Sequence, residues 1–530
     1  MSSTRSGEKR QQTPAGAVAA GDRHTAEAAA AVLADGGNAF DAVLAGLFAA
    51  CIAEPVLCSL GGGGFLLAQP AGGDAVLHDF FCQTPGRCLP VDELEFLPIH
   101  ADFGTARQEF HIGMGAVAVP GLVAGAFAIH EELCRLPMAR LMAPAIALAR
   151  RGVAMAPLQS FILDAVAPIF QWSAESRAIF NSRHEPEKTL RPGEVLALPA
   201  LAELFDALAR EGAGLFYRGE VAQAIARANR EGGGAVGLDD LAGYQVLRRA
   251  PLRRRFGDVE ILGNPPPSSG GPLLAFSLGL LQDQSIHPGT EHLAQLVQLA
   301  QAMALTDQAR QASGLNQGSD GARVEALLSE PFMAEYRAQI HGKLGRASKI
   351  GGTTHISVVD RMGNAAAMSV SNGEGSGHIL PHTGLMLNNM LGEEDLNPSG
   401  FFQWRPNSRI TSMMSPTLVR WDNGAVLALG SGGSNRIRSA ILQVLVNHLC
   451  LGLSLQEAID APRIHLQQDL LQIEHGHGDA TERHLAAAFA AHQIWPDRNF
   501  FFGGVHGAAF DPNASTFTAA GDPRRGGSVA

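Results

Sequence analysis

The chain has 530 residues, 46% hydrophobic and 17% charged, with a formal net charge of −11. That is ample for a large core, and acidic and basic residues are spread without long runs, which excludes the concentrated basic surface that nucleic acid or an anionic membrane requires. The six cysteines (Cys51, Cys58, Cys82, Cys88, Cys134, Cys450) lack the spacing of a zinc site, so they read as free thiols in a reducing compartment, with a Cys82–Cys88 bridge left open.

Residues 1–15 are polar and read as a disordered tail without the apolar core of a signal peptide, which makes the cytoplasm the expected location. Glu27–Leu33 and Phe40–Ala53 read as Ala-rich helices separated by Asp35-Gly36-Gly37-Asn38, a stop and restart signal. The second is too short to span a bilayer. Gly61 to Gly64 leads into a strand at Phe65–Ala68. No Gly-Lys-Ser/Thr follows, so the turn is read as one that lets backbone pass closely over a site rather than as a phosphate loop.

Helical spacing recurs at Pro137–Arg151, Leu201–Arg210, Val221–Asn229 and His292–Arg310, and a further helical run covers Phe276–Leu281. A strand lies within Arg253–Leu262, and Pro265–Gly271 is a rigid turn. Thr354–Asp360 and Ala365–Val370 form a hairpin around Met362-Gly363-Asn364. Further strands follow near Gly384–Leu387, Ser415–Arg420, Ala425–Leu429, Gly504–Phe510 and Phe517–Ala520, with a helix over Arg436–Cys450. A helix-rich first part and a strand-rich second part indicate sheets covered by helices on their outer faces.

Gly351-Gly352-Thr353-Thr354 stands at the mouth of the first hairpin strand. A threonine becomes a strong nucleophile when it heads a chain, because its own α-amine then serves as base for its hydroxyl. An interior Thr353 reaches that state only if the bond after Gly352 is cut. The alternative is an ordinary strand that starts after a flexible turn.

Two features could complete such a site. The backbone N–H groups of Gly432-Gly433-Ser434, before a helix start, could hold an oxyanion, or the glycines serve a tight turn alone. One hydroxyl of Ser371, Thr411, Ser412 and Ser415 could position Thr353. Strand alternation places His355 opposite Thr354 and on the Thr353 side, and it reads as structural. Glu393-Glu394-Asp395 reads either as a cation-binding cluster or as a solvated loop. No metal site is evident, and acyl transfer by an N-terminal threonine needs no metal or cofactor.

Taken together, the segments resemble the γ-glutamyltransferase (glutathione hydrolase) family of N-terminal-nucleophile hydrolases. The matching pieces are Ala17–Gly21, Gly36–Ala42, Glu54-Pro55 with Gly61–Phe65, Val119–Gly121, Phe216–Gly219, Pro265–Gly271, Thr353–Asp360, Leu387–Asn389, Met414–Pro416 and Asp522–Arg524. They occur in family order along nearly all of residues 16–530. The resemblance implies an α+β fold, a four-layer αββα sandwich. It also implies autocleavage between Gly352 and Thr353 into a large subunit (16–352) and a small subunit (353–530). By the same resemblance Thr353 is the nucleophile, Ser371 supports it, and the oxyanion donors fall at Gly433 and Ser434, or one residue earlier. The reaction implied is transfer of a γ-glutamyl group from a small-molecule amide to water or an amino acid.

The departures concern recognition of the glutamate end. The arginine that clamps the substrate α-carboxylate in the family is Phe81, and the asparagine two residues after the supporting hydroxyl is Gly373. The segment that receives the α-amino group reads Asn388-Asn389-Met390-Leu391-Gly392-Glu393. Of two paired serines Ser412 remains, and Met413 replaces the other. The chain between Glu393 and Ser412 is too short for the long lid of many relatives. Loss of a buried bidentate arginine costs roughly 2–5 kcal/mol of binding to a free α-carboxylate. Arg405, Arg409 and Arg436 are candidate substitutes. The leading expectation is therefore a self-processing γ-glutamyl amidase or transferase. The second is an acylase of the cephalosporin-acylase branch acting on a non-glutamyl acyl group, and the third is a silent binding or scaffold protein.

Overall fold

Two antiparallel sheets stacked face to face form the centre of the molecule. The computed structural model describes residues 14–102, 107–282, 284, 286–340, 352–467 and 470–530. Most of the expected N-terminal tail, residues 1–13, and Gly351 of the candidate cleavage motif lie outside the described residues.

The first sheet has seven strands. In spatial order they are Ser528–Val529, Gly16–Ala20, Thr354–Asp360, Ala365–Ser371, Gly63–Gln69, Val76–Phe80 and Leu247–Arg249. The second has six, in the order Thr516–Ala520, Gly504–Asp511, Val426–Gly432, Thr417–Trp421, Val259–Gly263 and Leu252–Phe256. Strands of the two sheets pack on each other. The helices Arg23–Ala34 and Ala39–Ala53 cover the outside of the first sheet, while Gly270–Leu281 and Arg436–Leu449 cover the outside of the second. The architecture is the α+β, four-layer sandwich expected.

The helix Ala39–Ala53 is buried at every position. A helix apolar all round can be stable only when enclosed on all sides. It starts at a reciprocal capping box, in which Asn38 accepts from the Asp41 N–H and Asp41 accepts from the Asn38 N–H. Period-two alternation sorts the hairpin strands. Ile356, Val358 and Met368 enter the apolar layer under this helix, whereas Ala365 and Ala367 enter the layer between the sheets.

The helix read as Phe276–Leu281 begins at Gly270, directly out of the proline turn. A Cβ on Gly270 would stand 2.2 Å from the Met413 carbonyl oxygen, and one on Gly271 would stand 2.0 Å from that of Asn264. The glycines, which weaken a helix read by propensity, are there because the helix start packs against backbone. Gly16–Ala20 is also a strand; its small residues carry little β signal, and its order comes from pairing with Thr354–Asp360 and Ser528–Val529. A small three-stranded sheet over Ile464–Gln467, Leu470–Glu474 and Ala491–Trp495 was likewise not evident from sequence.

The four-glycine turn serves close backbone approach, since a Cβ on Gly62 would meet the Ser371 carbonyl oxygen at 2.3 Å. All six cysteines are free, so Cys82 and Cys88 are not bridged. Among the described residues no helix is long and apolar enough to cross a membrane.

Candidate active site

The Gly352–Thr353 peptide bond lies where the first hairpin strand enters the sandwich. Thr354 and His355 leave the strand on opposite sides, as alternation requires. Thr354 Oγ1 donates to Glu54 Oε2 at 2.6 Å, under the buried helix. The His355 ring, on the inter-sheet side, bonds Ser369 at 2.8 Å and Ser357 at 2.9 Å. Burial, with His506 nearby, holds His355 well below the usual histidine range. It is a neutral ring filling a polar niche, in keeping with a structural reading.

Thr353 itself is buried, 6% exposed. Its hydroxyl donates to the Gly352 carbonyl oxygen at 2.7 Å. Ser371, the last residue of the neighbouring strand, donates to the same oxygen at 2.8 Å. The Gly373 N–H in turn donates to Ser371 Oγ at 3.0 Å, fixing the serine hydroxyl's direction. Two hydroxyls thus converge on the carbonyl of one peptide bond.

The glycine turn lies on the other side of Thr353. A Cβ on Gly432 would come within 2.0 Å of the Thr353 carbonyl oxygen, so only glycine allows the turn to approach. Gly433 has φ 123° and Ser434 φ 48°, both left-handed, just before the helix Arg436–Leu449. The Ser434 hydroxyl donates to the Asp395 carboxylate.

A cleft of ≈ 30 Å³ next to Gly352 and Thr353 is lined by Phe81, Ser371, Met390, Glu393, Ser412, Met413 and Ser434, among others. The sequence-derived recognition positions therefore do gather around Thr353. Gly373 lies behind the cleft, packed by Asn389 and Glu393 with no room for a Cβ. Of the other candidate hydroxyls, Thr411 points away to the Pro267 carbonyl and Ser415 to that of Met413.

Among the described residues no arginine lines this cleft. Phe81 stacks on Phe65 with centroids 5.3 Å apart. Arg409 is committed behind it, at 3.2 Å from Asp79 and bonded to the Phe81 carbonyl and the Tyr244 hydroxyl. Arg405 is exposed in a separate groove with Trp404 and Arg323. Arg436 is fully buried, its guanidinium 4.9 Å over the Phe501 ring and its Nε donating to the Phe501 carbonyl at 3.2 Å.

Sequence reasoning passed over three charged groups here. Glu54 caps the buried helix, and burial and Asp22 push its carboxyl up to about 7. Glu374, three residues after Ser371, faces Gly352, and burial pushes it up to about 8 despite the pull of the Gly352 N–H, Arg525 and Arg436. Arg525 lies against the glycine turn, lowered to about 10 by burial. Each adjoins a motif that was legible: Glu54-Pro55, the end of the second hairpin strand, and Asp522-Pro523-Arg524. Buried charge is the signal, and burial is not written in the sequence.

The family model described as gamma-glutamyltranspeptidase matches residues 25–530. The chain belongs to the gamma-glutamyltranspeptidase family. Relatives within reach of this family member include the Acylase ACY 1 proenzyme of Pseudomonas sp. (strain SE83), 30% identical over 508 residues, covering 93% of this chain and 89% of the relative. The glutathione hydrolase proenzyme of Escherichia coli (strain K12) is 29% identical over 512 residues, covering 89% and 85%. Among solved structures, cephalosporin acylase from Bacillus halodurans superposes with a TM-score of 0.84 at 23% identity over 100% of this chain and 98% of its own, a likeness of fold. The gamma-glutamyltranspeptidase of Helicobacter pylori gives 0.52 at 26% identity, covering 61% of this chain and 90% of that one.

Proposed function

We propose that this gamma-glutamyltranspeptidase family member is a self-processing amidase in which Thr353 is both the residue that cuts the chain and the nucleophile of the mature enzyme. The observation that carries the reading is the convergence of Thr353 Oγ1 (2.7 Å) and Ser371 Oγ (2.8 Å) on the Gly352 carbonyl oxygen. In processing, Oγ1 bonds to the Gly352 carbonyl carbon, its hydroxyl proton passes to the Thr353 nitrogen and the C–N bond breaks, leaving an ester and a free α-amine. The Ser371 hydroxyl supports the negative charge on the oxygen. Water then hydrolyses the ester, giving a large subunit ending at Gly352 and a small one starting at Thr353.

With Gly352 in place the cleft is ≈ 30 Å³, room for no more than about two waters. Cutting both creates the base and vacates space for an acyl group. In turnover Oγ1 attacks the substrate amide, and the backbone N–H groups of Gly433 and Ser434 receive the oxyanion. The amine departs, and water or an amino acid takes the acyl group.

The family's own name points to γ-glutamyl amides such as glutathione. A second reading of the acyl group is favoured by the cleft lining. Phe81, Met390 and Met413 line it, among the described residues without an arginine, and the nearby Arg409 is already paired with Asp79. An acyl group without a free α-carboxylate, as in the acylases, suits that wall. The free cysteines are compatible with the cytoplasm.

Denaturing electrophoresis with N-terminal sequencing tests the first part, with fragments near two-thirds and one-third of 55.7 kDa expected and the smaller starting Thr-Thr-His. An uncut chain that stays uncut favours a scaffold instead. Parallel assays with γ-glutamyl-p-nitroanilide and glutaryl-p-nitroanilide decide the acyl group. Robust γ-glutamyl turnover sinks the second reading.

A further inference from the structure

Glu374 is unexplained by the chemistry above. Its residue is 1% exposed. Its carboxyl accepts from the Gly352 N–H, a donor that leaves when the chain is cut after Gly352, and a buried carboxyl left without its donor is costly unless it serves a purpose. Its backbone is firmly held, since Asn389 Oδ1 accepts from the Glu374 N–H at 2.8 Å and from that of Gly375 at 3.2 Å. The carboxyl points at the residue before the candidate nucleophile. A Cβ built on Gly352 would meet its two oxygens at 2.8 and 3.0 Å.

The charged groups around Glu374 come from four other elements. Arg436, at the start of its helix, and Arg525, in the C-terminal segment, attract it, and among the described residues both guanidinium groups retain unpartnered N–H donors. Glu393 faces it from the loop after Met390, with Asp395 beyond. Glu54 acts through Arg525. Gly373, the preceding residue, leaves no alternative, because a Cβ there would meet Asn389 Oδ1 at 2.1 Å and Glu393 Oε1 at 2.3 Å. Glu374 is therefore the side chain that this loop presents to Gly352.

We propose that Glu374 is the positioning residue for the α-amine that cleavage exposes on Thr353, an inference that rests on the Thr353 reading above. When Gly352 leaves, the space beside the carboxyl becomes the space beside the new amine. Glu374 accepts one amine N–H and turns the lone pair toward Oγ1. As Oγ1 bonds to the acyl carbon, its proton passes to that lone pair, and the same proton goes to the departing nitrogen when the C–N bond breaks. Glu374 exchanges no atom in either step. A carboxyl pushed by burial to about 8 matches an amine that ordinarily titrates near ~7.7–8.0, so the two titrate as a pair.

The test uses the full chain with Glu374→Gln and Glu374→Asp beside wild type. N-terminal sequencing comes first. A wild type without a new Thr-Thr-His terminus overturns the Thr353 reading and this inference with it. With wild type cut, kcat/KM is followed against pH on whichever of the two p-nitroanilides it turns over. E374Q is expected to be cut, to lose roughly 10- to 100-fold in kcat with KM little changed, and to move the acid limb to lower pH. E374D is expected to restore part of both. An E374Q enzyme with an unmoved acid limb overturns the inference alone. If E374Q does not fold, or neither anilide is a substrate, carbamoylation of the wild-type Thr353 amine by cyanate, followed by mass spectrometry across pH, decides the matter. A midpoint above the ordinary amine range supports the pair, and one inside that range overturns it.

Discussion

Thr354 and Glu54 are joined by a hydrogen bond of 2.6 Å between the Thr354 hydroxyl and Oε2 of the glutamate, while Thr25 holds Oε1 at 2.8 Å. The bond ties the residue after the proposed cleavage position to the end of the buried helix Ala39–Ala53. It keeps Thr354 on the helix side of the strand, and so keeps Thr353 toward the cleft. Thr354→Val leaves Oε2 buried without its donor. That should cost about 1–3 kcal/mol, read by urea unfolding, and should slow chain cutting. Thr354→Ser should restore both; an unchanged unfolding midpoint in the valine variant would show that the bond orients nothing.

Ser371 and Thr353 share one acceptor, and the proposed mechanism gives them different tasks. Ser371→Ala removes a donor to the Gly352 carbonyl and is expected to slow self-cleavage by about 10²–10³-fold, visible as lingering full-length chain in a time course on denaturing gels. Thr353→Ala should remain uncut indefinitely. Equal, rapid cutting in wild type and S371A would remove Ser371 from the mechanism.

Two sets of buried groups pull the pH dependence of stability in opposite directions. Burial raises Glu54 from 4.5 to about 7 and Glu374 from 4.5 to about 8. Folded protein then binds more protons than unfolded between those values, so stability falls as pH rises through them. Burial lowers His477 and His506 from 6.5 to about 4, which makes stability fall as pH drops from 6.5 to about 4. The uncut Thr353→Ala chain should therefore be most stable near the middle of this span and lose Tm between about pH 6.5 and 8. Adding Glu54→Gln or Glu374→Gln should flatten that upper decline. A Tm that climbs steadily from pH 6.5 to 8 would contradict the assignment.

Arg524 lies at the centre of a buried charge network at the C-terminal end. It is bonded to Glu474 and stands 3.2 Å from Asp522, which also pairs with Arg463. Arg524→Ala leaves two buried carboxylates short of a partner and should cost about 3–5 kcal/mol, measured by denaturant unfolding. Attraction to Arg463 and Arg524 outweighs burial and keeps Asp522 below its ordinary value. Its contribution is then present above the ordinary carboxylate range and lost as acid protonates it. A change below about 1 kcal/mol would place the network among dispensable surface pairs.

Much of the fold was legible because its signals are local. The hairpin Thr354–Asp360 and Ala365–Ser371, the helix after Asn38 and the amphipathic helix ending at Arg151 all carry periodicity or caps within a few residues. Gly16–Ala20 and the helix start at Gly270 were not legible in this way. Their order is set by what packs against them, the flanking strands in one case and the Met413 backbone in the other.

Chemical type in order along the chain was sufficient for the family, and it supplied the candidate nucleophile and the reading of Phe81 as the position of the family's clamping arginine. Side-chain alternation also sufficed to put His355 across from Thr354. Long-range folding assigned the arginines: Arg409 to Asp79, Arg405 to an outer groove, and Arg436 with Arg525 behind the glycine turn. It also brought Glu374 against Gly352, in the field of Arg525 and Arg436. Residue identity and spacing are properties of neighbours in the chain. Burial and the field of distant charges arise only when segments hundreds of residues apart close on one another.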